Sequence, residues 1–477
     1  MKLTKNNFLE DLVYVIISNG LVLLSSIITG LIVPKLLGVT NYGYYKIFSL
    51  YVGYAALLHF GFVDGILLSY ANKNYNELNK EKFRLKTRFF IYMQMVISLT
   101  VIFMASILLK GGVYQFIFFM IGLDAIAMNV TSYYQYVSQC TMRFKELSFR
   151  KVLQAILRII AIGILLILYK NGTILEITCH IYIVIWVMID IILTVWYIYT
   201  YRDITFGKRE KISYGYKDLI FYFKSGIILT IAYQVTNLIY SLDRQFVSIF
   251  FETNIYANYS FAYSLISIVT TVIGAVSLVL FPQLKRRSKE KIIENFSDSM
   301  ALISILCFAA LVGYYPLCMF IKWFLPDYIT SLTYFRILFP GLAISSCINT
   351  IIFTYYKVLD KNTLYFRISL GILVLSAIFN ILAYYYFKTT SAISIASIFV
   401  LILWYLSGEY YYIKTYKVKW KRNFIYILLM MSGFYCITTF IVNDWLGIFI
   451  YAILFIGITY LIYKKLIMKN LQRFKNK

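Results

Sequence analysis

Clusters of basic residues lie between long apolar segments along this 477-residue chain. Apolar stretches of about 20 residues, the length that crosses roughly 30 Å of hydrocarbon, recur from end to end. Lysine and arginine collect in every second gap between these stretches, and the gaps in between hold few of either. Loops on the cytoplasmic side of membrane proteins carry such an excess, so the pattern indicates a bundle of membrane-spanning helices.

Fourteen apolar segments are long enough to cross a membrane, in keeping with a composition that is 61% hydrophobic. We therefore predict an all-α polytopic membrane protein with about fourteen transmembrane helices. The predicted segments are residues 11–34, 45–70, 89–109, 113–137, 149–169, 175–199, 219–242, 255–281, 298–323, 331–356, 364–387, 391–413, 424–442 and 445–463.

The orientation in the membrane follows from the distribution of charge. Of the 46 lysine and arginine residues, we assign 35 to one set of gaps and the termini, eight to the opposite gaps and the helix ends beside them, and three, Arg158, Lys224 and Arg367, to helix interiors. The positive-inside rule assigns the richer side to the cytoplasm, with both termini there and an even number of crossings. We therefore expect a multi-pass protein of the cytoplasmic (inner) membrane.

The formal net charge of +25 does not indicate a nucleic-acid partner. The basic residues are spread over short loops, where topology and anionic lipid head groups account for them, and they form no folded basic domain. The six cysteines have no Cys-x-x-Cys spacing, only two histidines exist, and no phosphate-binding or dinucleotide motif occurs. We expect neither a metal nor a cofactor, while coupling to H⁺ or Na⁺ stays open.

The gaps assigned to the outer side are short, the longest being residues 34–44 and 243–254. A membrane glycan polymerase or ligase normally carries its acceptor site on a large outer loop, and the inner gaps cannot hold a glycosyltransferase domain. We therefore expect a transporter rather than an enzyme, with its function among the helices. A polymerase or ligase is the less favoured alternative.

A faint internal repeat divides the chain into two halves. Asp11-Leu12 opens the first predicted helix and Asp218-Leu219 the seventh, and each helix is followed by a similar turn. Six helices per half keep both halves in one orientation, which predicts two pseudo-symmetric lobes with a V-shaped cleft between them. The predicted parts are an N-terminal lobe at 1–200, a cytoplasmic linker at 201–217, a C-terminal lobe at 218–413, and two additional helices with a basic tail at 414–477.

Short motifs in both halves resemble those of a known transporter family. They are Leu36-Leu37-Gly38, Tyr42-Gly43-Tyr44-Tyr45, Phe60-Gly61-Phe62-Val63-Asp64-Gly65, Leu242-Asp243-Arg244, Tyr256-Ala257-Asn258-Tyr259-Ser260 and Phe281-Pro282. Through these motifs and the two-lobe plan, the chain is similar to the polysaccharide-unit flippases, of the O-antigen type, in the multidrug, oligosaccharidyl-lipid and polysaccharide exporter superfamily.

The resemblance implies a flippase that moves an undecaprenyl-pyrophosphate-linked oligosaccharide across the membrane by alternating access, for O-antigen or capsule biosynthesis. The implied partners are that lipid-linked oligosaccharide, membrane lipids, and polysaccharide polymerase and assembly proteins. A monomer suffices, because both lobes lie in one chain. Cation-coupled antiporters of drugs or small solutes share the fold but usually have twelve helices, so the two extra helices favour the glycan lipid.

Arg158 is the leading candidate for binding the pyrophosphate. It lies about nine residues into the fifth predicted segment, near the bilayer midplane, where an unpaired charge costs several kcal/mol. Lys151 and Gln154 precede it at helical spacing, so the three side chains are predicted to share one face. The alternative is a structural ion pair between Arg158 and a neighbouring acid such as Asp124.

Lys224 is the second candidate, near the predicted cytoplasmic end of the seventh segment. Gln234 and Asn237 follow deeper on the same helix. The alternative for Lys224 is that its side chain reaches back to the membrane surface, and for Arg367, at the start of the eleventh segment, this is the favoured interpretation.

Acidic residues and one histidine at membrane depth are the candidates for ion coupling or gating. A buried carboxylate can bind a cation in one conformation and release it in another, although hydrogen bonding between helices is the common alternative. For the adjacent acid and base after the seventh segment, an outer gate or a structural role is favoured over contact with substrate. The candidates are His59, Asp64, Asp124, Asp190, Asp243 and Arg244.

Overall fold

The computed structural model describes residues 5–71, 73–109, 111–285 and 289–475. Within these ranges the chain is helical with short connecting turns and no strand, which confirms the all-α class. The helices are α1 Lys5–Tyr54, α2 Phe62–Tyr70, α3 Lys80–Leu108, α4 Gly112–Cys140, α5 Phe144–Lys170, α6 Cys179–Thr200, α7 Arg202–Thr205, α8 Ile212–Phe250, α9 Thr253–Lys285, α10 Lys289–Ala310, α11 Tyr314–Phe324, α12 Ser331–Leu338, α13 Gly341–Ser346, α14 Phe353–Val358, α15 Asn362–Phe387, α16 Thr390–Tyr416, α17 Lys421–Phe440 and α18 Asp444–Lys475.

Eleven helices in the described ranges are long and apolar enough to cross a membrane, or twelve if the bent pair Ser331–Leu338 and Gly341–Val358 forms one span. Each of the fourteen segments predicted from the sequence overlaps a helix. The lower count arises because segments 11–34 and 45–70 contribute to one long span that ends at His59, and because segment 255–281, on α9, is not among the eleven. The chain is therefore a multi-pass membrane protein.

The turn expected at residues 34–44 is instead part of a long helical run. Helix α1 continues through Pro34 to Tyr54, with its backbone broken only at Gly38, where φ is 66° and ψ is 173°. Glycine adopts this conformation without the clash that a Cβ would cause. The polar residues beyond the break hold a neighbouring helix, because the side-chain oxygen of Asn41 accepts a hydrogen bond from the backbone N–H of Cys179, at 3.0 Å.

The second predicted segment is interrupted where the structure forms a tight turn. A 3₁₀ turn at Ala55–His59 follows α1, and Phe60 and Gly61 then take left-handed conformations, with φ of 47° and 84°. Helix α2 starts at Phe62 and is short. The left-handed pair redirects the chain, so α2 leaves the axis of α1.

The helices of segments 298–323 and 331–356 are also irregular. A 3₁₀ turn separates α10 from α11, and a bend of 49° separates Ser331–Leu338 from Gly341–Val358. Between α13 and α14, the segment Cys347–Ile352 is a π-helix. π-helical turns are rare, and those that are found often lie at functional sites.

The chain packs as two compact units, Met1–Asn237 and Leu238–Lys477, and their boundary falls inside α8. The division into two six-helix lobes with two added helices stays a prediction, as does the cleft. In the first unit, the core is rich in aromatic rings: Phe90 stacks on Tyr133, and Tyr134 stacks on Tyr197 and Tyr201. The hydroxyls of Tyr133, Tyr134 and Tyr201 are hydrogen-bonded to Thr87, Thr205 and Ser138, at 2.9, 2.7 and 2.7 Å, which allows burial of these tyrosines in an apolar core.

The predicted cytoplasmic linker at 201–217 is fastened to α3 by basic residues. The guanidinium groups of Arg84 and Arg88 donate to the carbonyl oxygens of Asp203 and Thr205, each at 2.8 Å. The carboxylate of Asp203 pairs with Lys80 at 2.9 Å and accepts from the Tyr75 hydroxyl at 2.6 Å. Burial alone would raise the pKa of Asp203, but these two partners hold it below its ordinary value.

Candidate functional site

A cavity of about 340 Å³ lies within the unit Met1–Asn237, among α1, α4, α5 and α6. Its wall combines charged and amide side chains with hydroxyl groups, in helices whose other faces are apolar. Such a polar cavity inside a membrane bundle is where transporters hold hydrophilic groups. The lining residues are Ser49, Val52, Gly53, Ala127, Met128, Thr131, Ser132, Gln135, Arg150, Gln154, Arg158, Trp186 and Asp190.

Helix α5 supplies the basic wall of the cavity. Arg150, Gln154 and Arg158 follow one another at intervals of four residues, which stacks their side chains on one face of the helix. The helix runs for 27 residues from Phe144 to Lys170, so Arg158 lies near its middle. Both guanidinium groups are thereby carried into a span that is otherwise strongly apolar.

Arg158 is held by one ion pair and one aromatic ring. Its Nη2 atom lies 3.7 Å from Oδ2 of Asp190, and its Cζ atom lies 3.6 Å from the centre of the Trp186 ring. Its Nε atom has no hydrogen-bond partner among the described residues. About 24% of the Arg158 side chain is exposed, against 7% for Asp190, so the guanidinium is accessible while its counter-ion is buried.

The partner of Arg158 is Asp190, whereas the sequence had suggested Asp124. Asp190 also accepts a hydrogen bond from Nε2 of Gln154, at 2.9 Å. Helix α6 brings Asp190 and Trp186 to this position, one helical turn apart. The two acids could not be told apart from the sequence, because each stands alone in an apolar segment.

Asp124 is fully buried on α4 behind the cavity wall. Neither of its carboxylate oxygens has a hydrogen-bond partner among the described residues. It interacts electrostatically with both Asp190 and Arg158. Both carboxyl groups therefore interact with Arg158, and Asp190 interacts with Arg150 as well. The nearby Asn129 is occupied elsewhere, donating to Gln94 at 2.9 Å.

Arg150 and Trp186 are site residues that the sequence reasoning did not select. Arg150 had been counted with the cytoplasmic charges, yet it is buried, lines the cavity and leaves its Nε atom without a hydrogen bond within the described ranges. Its four-residue spacing from Gln154 and Arg158 is a signal that could have identified it. Nothing in the sequence distinguishes Trp186 from the other apolar residues of α6.

The other predicted substrate residues lie apart from the cavity lining. Lys151 is half-buried and contacts Asn19 on α1, with its Nζ atom 3.4 Å from the amide oxygen. Lys224 is exposed on α8. Deeper on the same helix, Gln234 is buried and accepts a hydrogen bond from Asn237 at 3.5 Å. The structure thus joins Gln154 and Arg158 but does not bring Lys224 to them.

His59 and Asp64 lie close together near the start of α2. Both are buried, and Nδ1 of His59 accepts a hydrogen bond from the backbone N–H of Gly61, at 3.2 Å. Asp64 accepts a hydrogen bond from the hydroxyl of Thr230 on α8. This acid therefore connects two helices of the first unit.

Asp243 and Arg244 lie in the second unit and do not pair through their side chains. The carboxylate of Asp243 is buried and accepts hydrogen bonds from Tyr259 at 2.7 Å, from Ser397 at 3.1 Å and from Tyr263. Arg244 instead donates to the carbonyl oxygen of Tyr240 at 3.1 Å and lies over the Tyr263 ring. The acid joins α8, α9 and α16, and its role as an outer gate or as a structural residue stays a prediction.

The geometry of the first-unit cavity suits an anion that also carries polar groups. Two guanidinium groups face one paired carboxylate, and an amide and several hydroxyls can donate further hydrogen bonds. The Trp186 ring offers an aromatic surface beside them. Among the described residues, no group of three or more His, Cys, Asp or Glu side chains could hold a metal ion.

Comparison with solved structures shows a similar fold over nearly the whole chain. A structure of the lipid II flippase MurJ in an inward closed conformation is 13% identical, with a TM-score of 0.71 over 96% of this chain and 100% of that one. An outward-facing multidrug resistance MATE family transporter of the MOP superfamily is 12% identical, with a TM-score of 0.52 over 84% and 94%. A MATE in complex with MaL6 is also 12% identical, with a TM-score of 0.50 over 84% and 95%.

No protein-family model and no curated protein matches the sequence. The similarity to solved structures is therefore one of fold, because the identities are low. This multi-pass membrane protein has the fold shared by the MurJ flippase and the MATE transporters.

Proposed function

We propose that the protein is a flippase that moves an undecaprenyl-pyrophosphate-linked oligosaccharide across the cytoplasmic membrane, for synthesis of a surface polysaccharide. The fold supports a transporter, because the solved structures that share it are a lipid flippase and drug transporters. The match to the lipid II flippase, with a TM-score of 0.71 over 100% of that chain, means that the proposed activity is compatible with this fold.

The observation that carries the proposal is the cavity with Arg150, Gln154 and Arg158 at membrane depth. A pyrophosphate group cannot enter hydrocarbon unpaired, since burying an isolated charge costs many kcal/mol. The guanidinium groups can accept that charge through forked hydrogen bonds, and the Trp186 ring can stack on a sugar. The lipid tail can stay in the bilayer while the head group crosses.

Asp190 gives this site a means of release. A phosphate that binds Arg158 competes with Asp190 for the same guanidinium, and the freed carboxylate then needs a proton or another cation. Asp124, already without a hydrogen-bond partner in the described chain, adds a second carboxyl to this competition. We therefore propose that translocation exchanges the substrate anion against this pair of acids, with H⁺ or Na⁺ as the coupling ion. The coupling or gating role of His59 and Asp64 remains part of the same proposal.

A drug or small-solute antiporter is the second candidate. The fold shared with MATE transporters, at a TM-score of 0.52, is the observation in its favour. Such a protein would change the sensitivity of cells to cationic compounds and leave the lipid-linked oligosaccharide pool unchanged. A flippase would instead change the lipid-linked oligosaccharide pool and leave the sensitivity to cationic compounds unchanged.

The proposed orientation has both termini in the cytoplasm, with polysaccharide polymerase and assembly proteins as partners on the pathway. The test is to delete the gene for this protein in its own cells and then to extract and identify the lipid-linked oligosaccharides. We expect one defined undecaprenyl-linked species to accumulate in the inner leaflet and surface polysaccharide to disappear. An unchanged lipid pool together with altered drug sensitivity would support the antiporter instead.

A further inference from the structure

A groove of about 620 Å³ lies between α15 and α16, within the unit Leu238–Lys477. Leucine, isoleucine and the rings of two tyrosines form most of its wall. From Leu406 to Lys414 it follows about 12 Å of α16, which is long enough for a run of methylene groups. The lining residues are Leu364, Ile368, Leu406, Ser407, Tyr410, Tyr411, Lys414 and Thr415.

One end of this groove is basic. Lys414 lies in the last turn of α16 and belongs to the wall. Arg367 lies on α15 within the turn between Leu364 and Ile368, so it borders the groove from the other helix. Both side chains are exposed, and neither forms an ion pair or a hydrogen bond with the part of the chain that the structure describes. Lys414 therefore lines one end of the groove, and Arg367 is next in sequence to the lining residue Ile368 on the other helix.

The groove lies on two helices that are each long and apolar enough to cross the membrane. The end that carries Lys414 continues into Lys417, Lys419 and Lys421, in one of the gaps that the positive-inside rule assigns to the cytoplasm. Lys414 and Arg367 thus lie at the depth of lipid head groups, and Leu406 lies deeper among the acyl chains. Basic pockets between transmembrane helices on this side are suited to anionic head groups.

We propose that this groove binds one anionic phospholipid, with its phosphate between Arg367 and Lys414 and one acyl chain along Leu406. The two basic residues favour an anionic lipid over a zwitterionic one, because they would repel the cationic group of a zwitterionic head group. The hydroxyls of Ser407 and Thr415 can donate to the phosphate and glycerol oxygens. This site is separate from the Arg158 cavity and does not depend on the transported substrate.

The test uses the full-length protein reconstituted in bilayer discs of equal parts phosphatidylglycerol and phosphatidylcholine. The protein is then extracted in mild detergent, and the lipid that stays bound is measured by mass spectrometry. We expect phosphatidylglycerol to be enriched on the wild type. Removing both charges, in Arg367→Ala with Lys414→Ala, should lower the ratio of retained phosphatidylglycerol to phosphatidylcholine by about fivefold per charge.

The matched control is Lys464→Ala with Lys465→Ala, which removes two exposed basic residues from α18 at the same predicted membrane surface. This control should keep the wild-type ratio. Leu406→Trp fills the groove without changing charge, and it should lower retention of phosphatidylglycerol while the protein stays folded.

Two results would overturn the proposal. The first is an equal ratio for the groove variant and the α18 control, which would mean that the two cations do not select the lipid. The second is displacement of phosphatidylglycerol by an equal concentration of undecaprenyl phosphate, which would make the groove a site for the isoprenoid chain. Neither result bears on whether Arg158 takes part in transport.

Discussion

Arg158 shows how a single charge is accommodated inside the membrane. The side chain combines an ion pair with Asp190, a stacked ring from Trp186 and partial exposure to a cavity. About 24% of the Arg158 side chain remains exposed, so the ion pair and the ring leave part of it accessible. The residue therefore has a structural partner and a free face at once.

Removing that partner should have a measurable cost. In Asp190→Asn the guanidinium loses its counter-charge, and we expect the free energy of unfolding to fall by about 1–3 kcal/mol. Asp190→Asn combined with Arg158→Gln should cost less than the sum of the single changes, with a coupling of about 1 kcal/mol. Thermal unfolding of the purified protein in detergent measures both.

The control for this cycle is Asp444→Asn, which breaks the Lys322–Asp444 pair, 2.6 Å long and half exposed at its lysine. Exposed pairs of this kind contribute about 0–1 kcal/mol. If Asp190→Asn lowers stability no more than Asp444→Asn, the Arg158–Asp190 pair does not hold the helices together.

Glu409 is a buried acid in the unit Leu238–Lys477. It lies on α16, fully buried, and neither carboxylate oxygen has a hydrogen-bond partner within the described chain. Because an ionised carboxylate without partners costs several kcal/mol there, we expect the group to be neutral. Glu409→Gln should therefore leave membrane abundance and the unfolding midpoint unchanged, and Glu409→Lys should abolish folding.

Exposed Glu81→Lys, on α3, is the control for the charge reversal and should be tolerated. Loss of transport in Glu409→Gln with normal abundance would contradict the neutral, passive role and would instead indicate that Glu409 exchanges a proton.

The sequence identifies residues such as Arg158, because a charge in an apolar segment stands out. It does not identify their partners. Asp190 and Asp124 look alike in sequence, and only the packing of α5 against α6 selects one of them. Arg150 was hidden for another reason: near the end of a helix, a basic residue that lines a cavity has the same pattern as one that faces the cytoplasm.

At the scale of elements, α8 lies very close to the start of α2 in the first unit. A Cβ atom on Gly226 would lie 1.9 Å from the carbonyl oxygen of Gly61 and 2.4 Å from the nitrogen of Gly65. Backbones can pack this tightly only where side chains are absent. The contact is completed by the hydrogen bond from Thr230 to Asp64 and by Lys86, whose Nζ atom lies 2.7 Å from the Tyr222 hydroxyl.

Gly226→Ala should therefore force the two helices apart. We expect a loss of about 1–3 kcal/mol in stability, in the range of overpacked cores, visible as a lower unfolding midpoint and lower membrane abundance. Gly163→Ala on α5 is the control, because nothing lies within 4 Å of its Cβ position. That control should be neutral or stabilise the helix by up to about 1 kcal/mol. Equal midpoints for the two variants would show that the crossing is looser than the structure indicates.

The attachment of the 201–217 segment to α3 should depend on pH. Tyr75 and Lys80 lower the pKa of Asp203 in the folded protein. The contribution of this carboxylate to stability is therefore complete above the unfolded pKa of about 4. It is lost as the pH falls through the lower pKa of the folded state. Asp203→Asn should lower the unfolding midpoint at pH 7, and the gap to the wild type should close below about pH 4.

The control is Glu81→Gln, which changes an exposed acid on α3. Its unfolding midpoint should equal that of the wild type both at pH 7 and below pH 4. A difference between Asp203→Asn and the wild type that stays constant from pH 7 to pH 3 would exclude the ionised carboxylate as its cause.

Helix positions follow from the sequence far better than helix breaks do. Apolar segments of the right length lie on helices throughout, since burial in lipid demands a satisfied backbone. The break at Gly38, the left-handed pair at Phe60 and Gly61 and the π-turn at Cys347–Ile352 depend on packing between helices. Residues 34–44 contain turn-forming residues, yet the helix persists there because neighbouring helices pack on it.

At the scale of the whole molecule, we propose that this membrane protein moves a lipid-linked anion through a cavity built on α5. Charge alternation predicts the topology, and the fold is the one shared by a lipid flippase and drug transporters. The substrate depends on the cavity alone, because a shared fold does not fix what is carried.

The most direct measurement is translocation in vesicles. Lipid-linked oligosaccharide extracted from cells lacking the protein is placed in vesicles with the purified wild type, Arg158→Ala or the control Lys170→Ala, at the exposed end of the same helix. Arrival of the glycan at the opposite leaflet is followed by its accessibility to an added glycosidase. The wild type and Lys170→Ala should translocate alike, and Arg158→Ala should be slower by roughly 10- to 100-fold, as expected for a lost charged hydrogen bond. Translocation by Arg158→Ala at the wild-type rate would contradict the assignment of the cavity, and no translocation by the wild type would contradict the flippase itself.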